Sequence, residues 1–398
     1  MPKETTSSLD TSRMRQHNLA AVLEIVHKSR GVTRAQITRE LELNRSTIGD
    51  LVSQLSESGW VVELWDETRT GVGRPSPLVT AANQWLVAAI NPEVDAVEIA
   101  LASLGGEIVD RKRVEVDQPT ASEVASIVAN EVSAMEESQT GSKVIAAGIA
   151  VPGLVRTSDG VVRLAPGLGW KDQPLAELVS EALGVPALAA NDAHLGSRAE
   201  LSFGAGQGAD SIIYLNGGPS GIGGGIVIAG NPVGGFAGYA GEVGHISVNP
   251  EGEVCACGAT GCLESIVRRA DLVARLGLSH PDDDQLDAAV LNAVGQADGK
   301  ELRSWVDQQL TWLSIALRSV VNLLNPERVV LGGYLASIWK GASEAQRTKA
   351  LDQALSVSAE GVVITVAALE SQRLLVGAAE LAWDDVMANP IESLKSVT

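Results

Sequence analysis

The segment that decides the fold is residues 241–264, GEVGHISVNPEGEVCACGATGCLE. It contains all three cysteines of the 398-residue chain, Cys255, Cys257 and Cys262, and His245 lies ten residues before the first of them. One imidazole and three thiolates form a complete tetrahedral donor set for zinc, and the intervening glycines permit the tight turns that the set requires. Four protein ligands leave no open coordination position, so the segment predicts structural zinc. Three free cysteines in a buried loop are the alternative.

The composition is typical of a soluble α/β protein, with 45% hydrophobic residues and 41 glycines. The net charge of −19 argues against a protein that coats nucleic acid or an anionic membrane. An odd number of cysteines excludes a fully paired disulfide framework. No apolar run approaches the length of a membrane span, and the N-terminus MPKETTSSLD does not resemble a secretory signal. We therefore expect a cytoplasmic protein.

The charge is unevenly distributed along the chain. Residues 1–80 contain ten Lys or Arg and ten Asp or Glu, whereas the other 318 residues contain 20 basic and 39 acidic residues. This difference predicts a domain boundary near residue 80. We therefore divide the chain into a head, residues 1–82, and a body, residues 83–398.

The head has the pattern of a winged helix-turn-helix. Apolar residues follow helical spacing over 16–29, Thr33 begins a second helix with a capping box, and Asn44 caps a third helix that ends at Gly59. About three residues separate the second and third helices. Two short β-like runs, 60–65 and 78–80, flank a polar turn that we interpret as a wing.

The third helix presents short polar side chains and one arginine off its apolar face. Such a helix suits the major groove, where hydroxyls and amides contact phosphates and Arg or Gln reach base edges. Arg74, in the sequence Gly73-Arg74-Pro75, is suited to the adjacent minor groove. A small three-helix domain for protein contacts is the alternative. The residues that we expect to contact DNA are Arg45, Ser46, Thr47, Gln54, Arg69 and Arg74.

The body alternates β-like and helical runs, which predicts an α/β architecture. The predicted strands are 85–90, 95–103, 106–116, 144–150, 186–190, 211–216, 224–229, 328–331 and 361–367. The predicted helices are 120–137, 174–183, 193–202, 262–275, 300–324 and 371–387. The acidic stretch 278–301 is predicted to be a surface excursion. Two strand-rich halves, each opening with antiparallel strands, predict a duplicated fold of two lobes with a cleft between them.

Several motifs of the body resemble the ROK family of bacterial sugar kinases and sugar-responsive repressors. The motif Cys-x-Cys-Gly-x-x-Gly-Cys-x-Glu, preceded by Gly-Glu-Val-Gly-His, is the most specific of them. The other matches are Val151-Pro152-Gly153, Asn191-Asp192-Ala193, GIGGG at 221–225 and NPERVVLGG at 325–333. The resemblance covers about 85–390 and implies an actin-like, two-lobed, hexokinase-type fold. The winged helix-turn-helix resembles the repressor branch of the family.

The resemblance also implies a sugar site between the lobes. Carboxylates are suited to a pyranose because each can accept hydrogen bonds from two vicinal hydroxyls. His245 could give one ring nitrogen to zinc and the other to the sugar, so that the metal fixes the ring. Gly167 stands where the family often has Asn, which removes one side-chain contact. The residues that match the sugar ligands of the family are Asn191, Asp192, Glu242, His245 and Glu264.

The phosphate-binding motif of the family kinases is altered in this chain. The kinases have Asp-x-Gly-x-Thr where this chain has Asn91-Pro92-Glu93-Val94-Asp95. Glu93 and Asp95 would place negative charge against ATP, at about 4 kcal/mol for a like-charge pair 4 Å apart near a protein surface. The second phosphate loop also differs, with Pro219-Ser220 before Gly221. We therefore expect neither ATP binding nor kinase activity.

The sequence thus predicts a sugar-responsive transcriptional regulator, a repressor of carbohydrate genes, with a degenerate kinase domain. Operator DNA and a sugar effector are its expected partners, and paired half-sites favour a homodimer or homotetramer. The first rival is an active sugar kinase that phosphorylates a hexose or N-acetylhexosamine with ATP. The others are a zinc-responsive regulator and a cleft that binds a partner protein.

Overall fold

The structure is a computed structural model, and it describes residues 5–65, 77–279, 281–296 and 299–394. The helices there are α1 (Thr5–Ser29), α2 (Arg34–Glu40), α3 (Arg45–Glu57), α4 (Ala121–Ser138), α5 (Leu175–Leu183), α6 (Asp192–Phe203), α7 (Leu263–Ile266), α8 (Arg269–Leu276), α9 (Asp283–Gly295), α10 (Lys300–Leu324), α11 (Tyr334–Gly341), α12 (Glu344–Thr348), α13 (Ser356–Ala359) and α14 (Arg373–Ala388). The strands there are β1 (Val32–Thr33), β2 (Val61–Leu64), β3 (Leu78–Ala81), β4 (Trp85–Pro92), β5 (Ala96–Ser103), β6 (Glu107–Glu115), β7 (Lys143–Val151), β8 (Leu154–Arg156), β9 (Val161–Ala165), β10 (Trp170–Gln173), β11 (Ala187–Asn191), β12 (Ile212–Gly218), β13 (Gly221–Ile228), β14 (Asn231–Pro232), β15 (Arg328–Gly333) and β16 (Val363–Val366). None of the described helices is long and apolar enough to cross a bilayer.

The described residues fall into two compact units. The first unit combines residues within 1–149, 174–189 and 378–398, and the second combines residues within 150–173 and 190–377. The helices of the head and the strands β4 to β6 therefore belong to the same unit. The division into a head and a body at residue 82 falls between β3 and β4 and stays a prediction.

The head contains the helix-turn-helix that the sequence predicts. The Thr33 hydroxyl accepts a hydrogen bond from the Gln36 amide, and the Gln36 side chain accepts one from the Thr33 amide, which forms the capping box of α2. The Asn44 side chain caps α3 by accepting a hydrogen bond from the Thr47 amide at 2.8 Å. The first helix is longer than the predicted 16–29 and begins at Thr5. The buried face of α3 consists of Ile48, Leu51, Val52 and Leu55.

The strands of the head form an antiparallel sheet in the order β1-β3-β2. Both predicted β-like runs are therefore strands. The predicted wing connects β2 to β3, and residues 66–76 of this connection lie outside the described residues.

An aromatic cluster in the first unit includes one residue of the head. Trp60 is 1% exposed, and its ring centroid lies 6.4 Å from that of Trp85 on β4 and 6.1 Å from that of Trp383 on α14. The Trp60 indole N–H donates to the Pro390 carbonyl at 3.0 Å. The three indoles belong to segments that are far apart in sequence, and their burial joins α14 and β4 to the head.

A second buried contact of the head involves His27 on α1. Its Nδ1 accepts a hydrogen bond from the Gly105 amide at 2.8 Å, and its Nε2 lies 2.8 Å from a carboxylate oxygen of Glu380 on α14. A ring nitrogen that accepts a hydrogen bond carries no proton, so the proton of the neutral imidazole is on Nε2 and is donated to Glu380. Both side chains are buried, and the contact therefore holds α1 against α14.

The main sheets of the two units follow the same strand pattern. In the first unit the order is β6-β5-β4-β7-β11, and in the second it is β14-β13-β12-β15-β16. Each has an antiparallel hairpin, β4–β5 or β12–β13, whose first strand also pairs with a parallel strand, β7 or β15. This repetition confirms the predicted duplicated α/β fold.

Several regions differ from the prediction. The predicted helix 262–275 is divided into α7 and α8, and α11 to α13 lie in a segment for which no element was predicted. The predicted surface excursion 278–301 contains α9, whose residues Leu286, Val290 and Val294 are buried in the core of the second unit. Their spacing of four residues places them on one helix face, which the surrounding acidic side chains concealed. The chain between β7 and α5, for which no element was predicted, forms a separate antiparallel sheet in the order β10-β9-β8.

Candidate functional site

The cysteine loop in the second unit is held by backbone contacts that require glycine. Isolated β-bridges connect Ser247 to Cys262 and Val254 to Thr260. Gly261 has φ +73°, and a Cβ at this position would lie 1.6 Å from the Asn249 carbonyl oxygen. No residue with a side chain fits there without a change of the loop, so this glycine is part of the geometry that brings the cysteines together.

The structure brings the four predicted zinc ligands together. One donor atom each of His245, Cys255, Cys257 and Cys262 can be chosen so that all four lie within 4.8 Å of one another. The Cys257 and Cys262 sulfurs are 3.7 Å apart, and the Cys255 sulfur is 3.7 Å from His245 Nδ1. A tetrahedral zinc ion with Zn–S bonds of about 2.3 Å separates its sulfur ligands by about 3.8 Å. The cluster therefore fits a zinc ion in both its chemistry and its spacing.

Two carboxylates face the two nitrogens of the His245 ring. Glu242 Oε2 lies 3.6 Å from Nε2, whereas Glu264 Oε1 lies 3.5 Å from Nδ1, on the side of the cysteines. Glu264 also approaches the β12–β13 hairpin, where the Ile222 amide donates to it at 3.4 Å. Gly221 has φ +139°, and a Cβ there would lie 2.5 Å from Glu264 Oε2. The site thus needs this glycine for the approach of Glu264.

Asn191 and Asp192 begin α6. The Asn191 side chain caps the helix by accepting a hydrogen bond from the His194 amide at 3.1 Å, and its amide group donates to the Gly153 carbonyl at 3.0 Å. Burial raises the pKa of Asp192 to about 6, and the nearby Glu242 carboxylate also raises it. Asp192 therefore interacts with Glu242, which also faces His245, whereas Asn191 has a capping role that was not predicted.

A buried polar network lies beside Asp192 and was missed by the sequence analysis. Arg373, the first residue of α14, is 5% exposed and contacts the side chains of Asn216 on β12 and Asp283 on α9. The Tyr214 hydroxyl donates to the same Asn216 oxygen at 3.1 Å. These residues are dispersed over 160 positions of the chain and match no motif, so only the fold reveals their proximity.

The predicted DNA-contacting residues that the structure describes are all on α3. Arg45 and Ser46 are exposed in its first turn, and the Ser46 hydroxyl donates to the capping Asn44 at 2.7 Å. Near the other end of the helix, the Gln54 side-chain oxygen accepts a hydrogen bond from Arg15 on α1 at 2.9 Å. Arg15 was not predicted to be part of this surface. The other two predicted residues, Arg69 and Arg74, lie outside the described residues.

The altered phosphate motif lies at the end of β4 in the first unit. Asn91 is buried, and its amide donates to Glu93 at 3.0 Å. Burial and the neighbouring Glu98 carboxylate raise the pKa of Glu93 to about 7. Near neutral pH the carboxyl group of Glu93 is therefore less negative than its residue type alone predicts. Asp95 is paired with Arg113 at 2.9 Å.

Three comparisons with known proteins bear on the site. The family model described as "ROK family" matches residues 87–385. The xylose repressor of Caldicellulosiruptor bescii is 26% identical and aligns with 95% of this chain and 98% of its own. The glucokinase of Halalkalibacterium halodurans is 33% identical but aligns with only 60% of this chain and 76% of its own. A crystal structure described as a ROK family transcriptional regulator, a homolog of the E. coli MLC protein, superimposes with a TM-score of 0.76 at 24% identity, over 97% of this chain and 99% of the other.

Proposed function

The chain belongs to the ROK family, and on that premise we propose that it is a sugar-responsive transcriptional regulator that represses genes of carbohydrate metabolism. The observation that carries the proposal is the similarity to a xylose repressor over 95% of the chain, a share too large to leave out the head. A regulator of this kind acts on operator DNA, and we expect it in the cytoplasm.

The cluster of His245 and the three cysteines is the proposed site of a structural zinc ion. Zinc in this site would supply four bonds that crosslink the loop and would leave no open position for chemistry. The arrangement of the ring supports this role, because Nδ1 faces the Cys255 sulfur whereas Nε2 faces Glu242. The metal would thereby fix the orientation of the nitrogen that is available to a ligand.

The proposed sugar ligands are the residues around this ring and at the start of α6. Asp192, Glu242 and Glu264 would accept hydrogen bonds from sugar hydroxyls, and His245 Nε2 would contact a further one. The Asn191 side chain would contribute through the second lone pair of its oxygen and the second N–H of its amide group. Its bonds to the His194 amide and the Gly153 carbonyl use the first of each. A sugar that binds one of two states more tightly shifts the protein toward that state, and the operator affinity changes accordingly.

The proposed DNA-binding surface is the exposed face of α3 with the predicted wing. A head with one such helix contacts one half-site, so two or more copies of the chain are needed for a paired operator. We propose a homodimer or homotetramer for this reason, with a body whose negative charge leaves DNA contact to the heads.

We propose that the protein does not phosphorylate its sugar. The Asn91 side-chain amide donates a hydrogen bond to the Glu93 carboxyl, and the Asp95 side chain is paired with Arg113. A phosphate loop binds its anion through successive free backbone N–H groups, whereas here residue 92 is proline and the Glu93 amide donates to the Ala96 carbonyl at 2.8 Å. Consumption of ATP in the presence of hexoses or N-acetylhexosamines, abolished by Asp192→Asn, would contradict this part of the proposal.

The sugar site predicts a specific loss of binding in Asp192→Asn. This substitution keeps the shape of the side chain but removes its negative charge, so the affinity for the sugar should fall about 10- to 100-fold. A sugar library screened by thermal shift first identifies the ligand, and calorimetric titration then compares the variant with the native protein. Asp117→Asn, at an exposed position of the first unit, is the control and should bind the sugar normally. Equal affinity of all three proteins would remove Asp192 from the site.

The DNA-binding surface predicts a large effect of Arg45→Ala. The loss of one base or phosphate contact from arginine costs about 1–3 kcal/mol, which corresponds to an operator affinity about 5- to 150-fold lower. Fluorescence anisotropy with DNA from upstream of the protein's own gene, at fixed salt concentration, measures this change. Arg163→Ala is the matched control, since it removes the same charge from an ion pair on β9 in the body. A decrease of equal size in both variants would indicate a general effect of charge and would argue against α3 as the recognition helix.

A further inference from the structure

Arg373 is a buried cation that the proposed function does not yet use. Its Nε donates to Asn216 Oδ1 at 3.1 Å, one terminal nitrogen donates to the Glu370 carbonyl at 2.6 Å, and the other donates to Asp283 Oδ2 at 2.7 Å. The guanidinium side chain is 6% exposed, whereas the Asp283 side chain is 25% exposed. Burial of a charge is costly unless the surrounding groups compensate for it, so the placement of this arginine requires a reason.

The Arg373 network is connected to the first turn of α6. Asn216 pairs across the β12–β13 hairpin with Gly223. A Cβ at Gly223 would lie 2.8 Å from the Ala193 side chain and 3.9 Å from Asp192 Oδ1, so the hairpin packs directly against the start of α6. The Tyr214 ring, whose hydroxyl shares Asn216 with Arg373, contacts the same helix one turn later, where a Cβ at Gly196 would lie 2.6 Å from it.

The groups around Asp192 have opposite effects on its pKa. Burial and Glu242 raise the pKa of Asp192, whereas the hydrogen bond that the Ala193 amide donates to it at 2.8 Å and the positive charge of Arg373 both lower it. Tyr214 on β12 also interacts with Asp192 from a neighbouring element. Asp283 on α9 partly neutralises Arg373 and so weakens its attraction for Asp192. Arg373 is thus the cation that compensates the charge of a partly buried carboxylate in the proposed sugar site.

We propose that Arg373 is a positioning residue of the sugar site: anchored by Asn216 and Asp283, its buried positive charge stabilises the carboxylate form of Asp192, which accepts the sugar hydroxyls. The inference rests on the proposed function and deepens it. It assigns to α14, far from every recognised motif, a role in the binding of the effector at neutral pH. The role is electrostatic and acts through Asp192, since Arg373 has its own partners and need not touch the sugar.

The test is the pH dependence of sugar affinity between pH 5 and 9. In the native protein the affinity should fall as the pH decreases through about 6, because protonated Asp192 accepts fewer hydrogen bonds. In Arg373→Met the Asp192 carboxylate loses its compensating cation and its pKa rises. The decrease in sugar affinity should therefore begin at a higher pH. At pH 7 we expect an affinity about 2- to 10-fold below that of the native protein. Arg373→Lys keeps the charge and should restore a midpoint near that of the native protein.

A second variant keeps the inference testable if Arg373→Met does not fold. Asp283→Asn removes the competing negative charge, so Arg373 should favour the Asp192 carboxylate more strongly and the midpoint should move to a lower pH. Opposite shifts in the two variants support the proposal. A uniform loss of sugar affinity at every pH, with an unchanged midpoint, would mean that Arg373 has only a structural role. That result would overturn the proposal. A native protein that binds no sugar at any pH would instead contradict the proposed function itself.

Discussion

Replacing Cys262 by serine is expected to lower the melting temperature of the protein by more than 10 °C and to abolish zinc binding. Cys262 is fully buried, and it begins the turn that leads into α7. A structural zinc site contributes on the order of 10 kcal/mol to the folding of a small metal-binding domain, and about 1 kcal/mol shifts the melting temperature of a mid-sized domain by a few degrees. Metal analysis should give one zinc ion per native chain and none in the variant.

The matched control for this substitution is Thr260→Ser, at an exposed position of the same loop. It should keep the metal and the melting temperature of the native protein. Chelation of the native protein separates the structural role from a sensory one. A structural ion predicts unfolding when the chelator removes it, whereas reversible loss of DNA binding in a protein that stays folded would favour the zinc-responsive regulator. Native protein purified without any bound metal would refute the zinc assignment.

Trp60→Ala is expected to destabilise the first unit by about 3–5 kcal/mol, the usual cost of removing a buried tryptophan. The substitution would leave a cavity between Trp85 and Trp383 and would remove the hydrogen bond to the Pro390 carbonyl. Chemical denaturation followed by tryptophan fluorescence and by circular dichroism measures the change. Because the head loses a buried contact with α14, operator affinity should fall at temperatures at which the sugar still binds.

Leu64→Ala on β2 is the control for Trp60→Ala, since Leu64 is 54% exposed. Its effect on the free energy of unfolding should remain within about 0.5 kcal/mol. A Trp60 variant as stable as this control would mean that the head is attached by other contacts. A simultaneous loss of operator and sugar binding would mean that the first unit does not unfold separately from the second.

Much of the fold could be predicted because its signals are local. The caps of α2 and α3 are formed by side chains three residues from their partners, and the strands β4, β5, β7 and β12 are largely apolar. The α9 helix was missed because its buried residues, Leu286, Val290 and Val294, follow a run of three aspartates, Asp282 to Asp284, which gave the stretch its acidic character. The β8–β10 sheet was missed because its strands are short and alternate with glycine and charged residues.

The part of the candidate site that could be predicted is the part that belongs to a single sequence motif. The zinc ligands share a single loop, and the structure brings together all four. Asn191 illustrates the limit of this approach, since its residue type suits both a ligand and a helix cap, and only the contacts of its side chain reveal the cap. Arg373 illustrates the opposite case, because its importance depends on Asn216 and Asp283, which the chain brings to it from 157 and 90 positions away.

The buried contacts of the head also limit how this regulator can be recombined. Exchange of DNA-binding heads between related proteins is an attractive way to redirect a sensor to a new operator. A transplanted head that ends at residue 82 would bring Trp60 and His27 to a host surface without Trp383 and Glu380. The Trp60 indole would then be exposed to solvent, and the His27 imidazole N–H would lose the Glu380 carboxylate that accepts its hydrogen bond. A functional chimera therefore has to carry the facing residues of α14 together with the head, although almost 300 residues separate them in the chain.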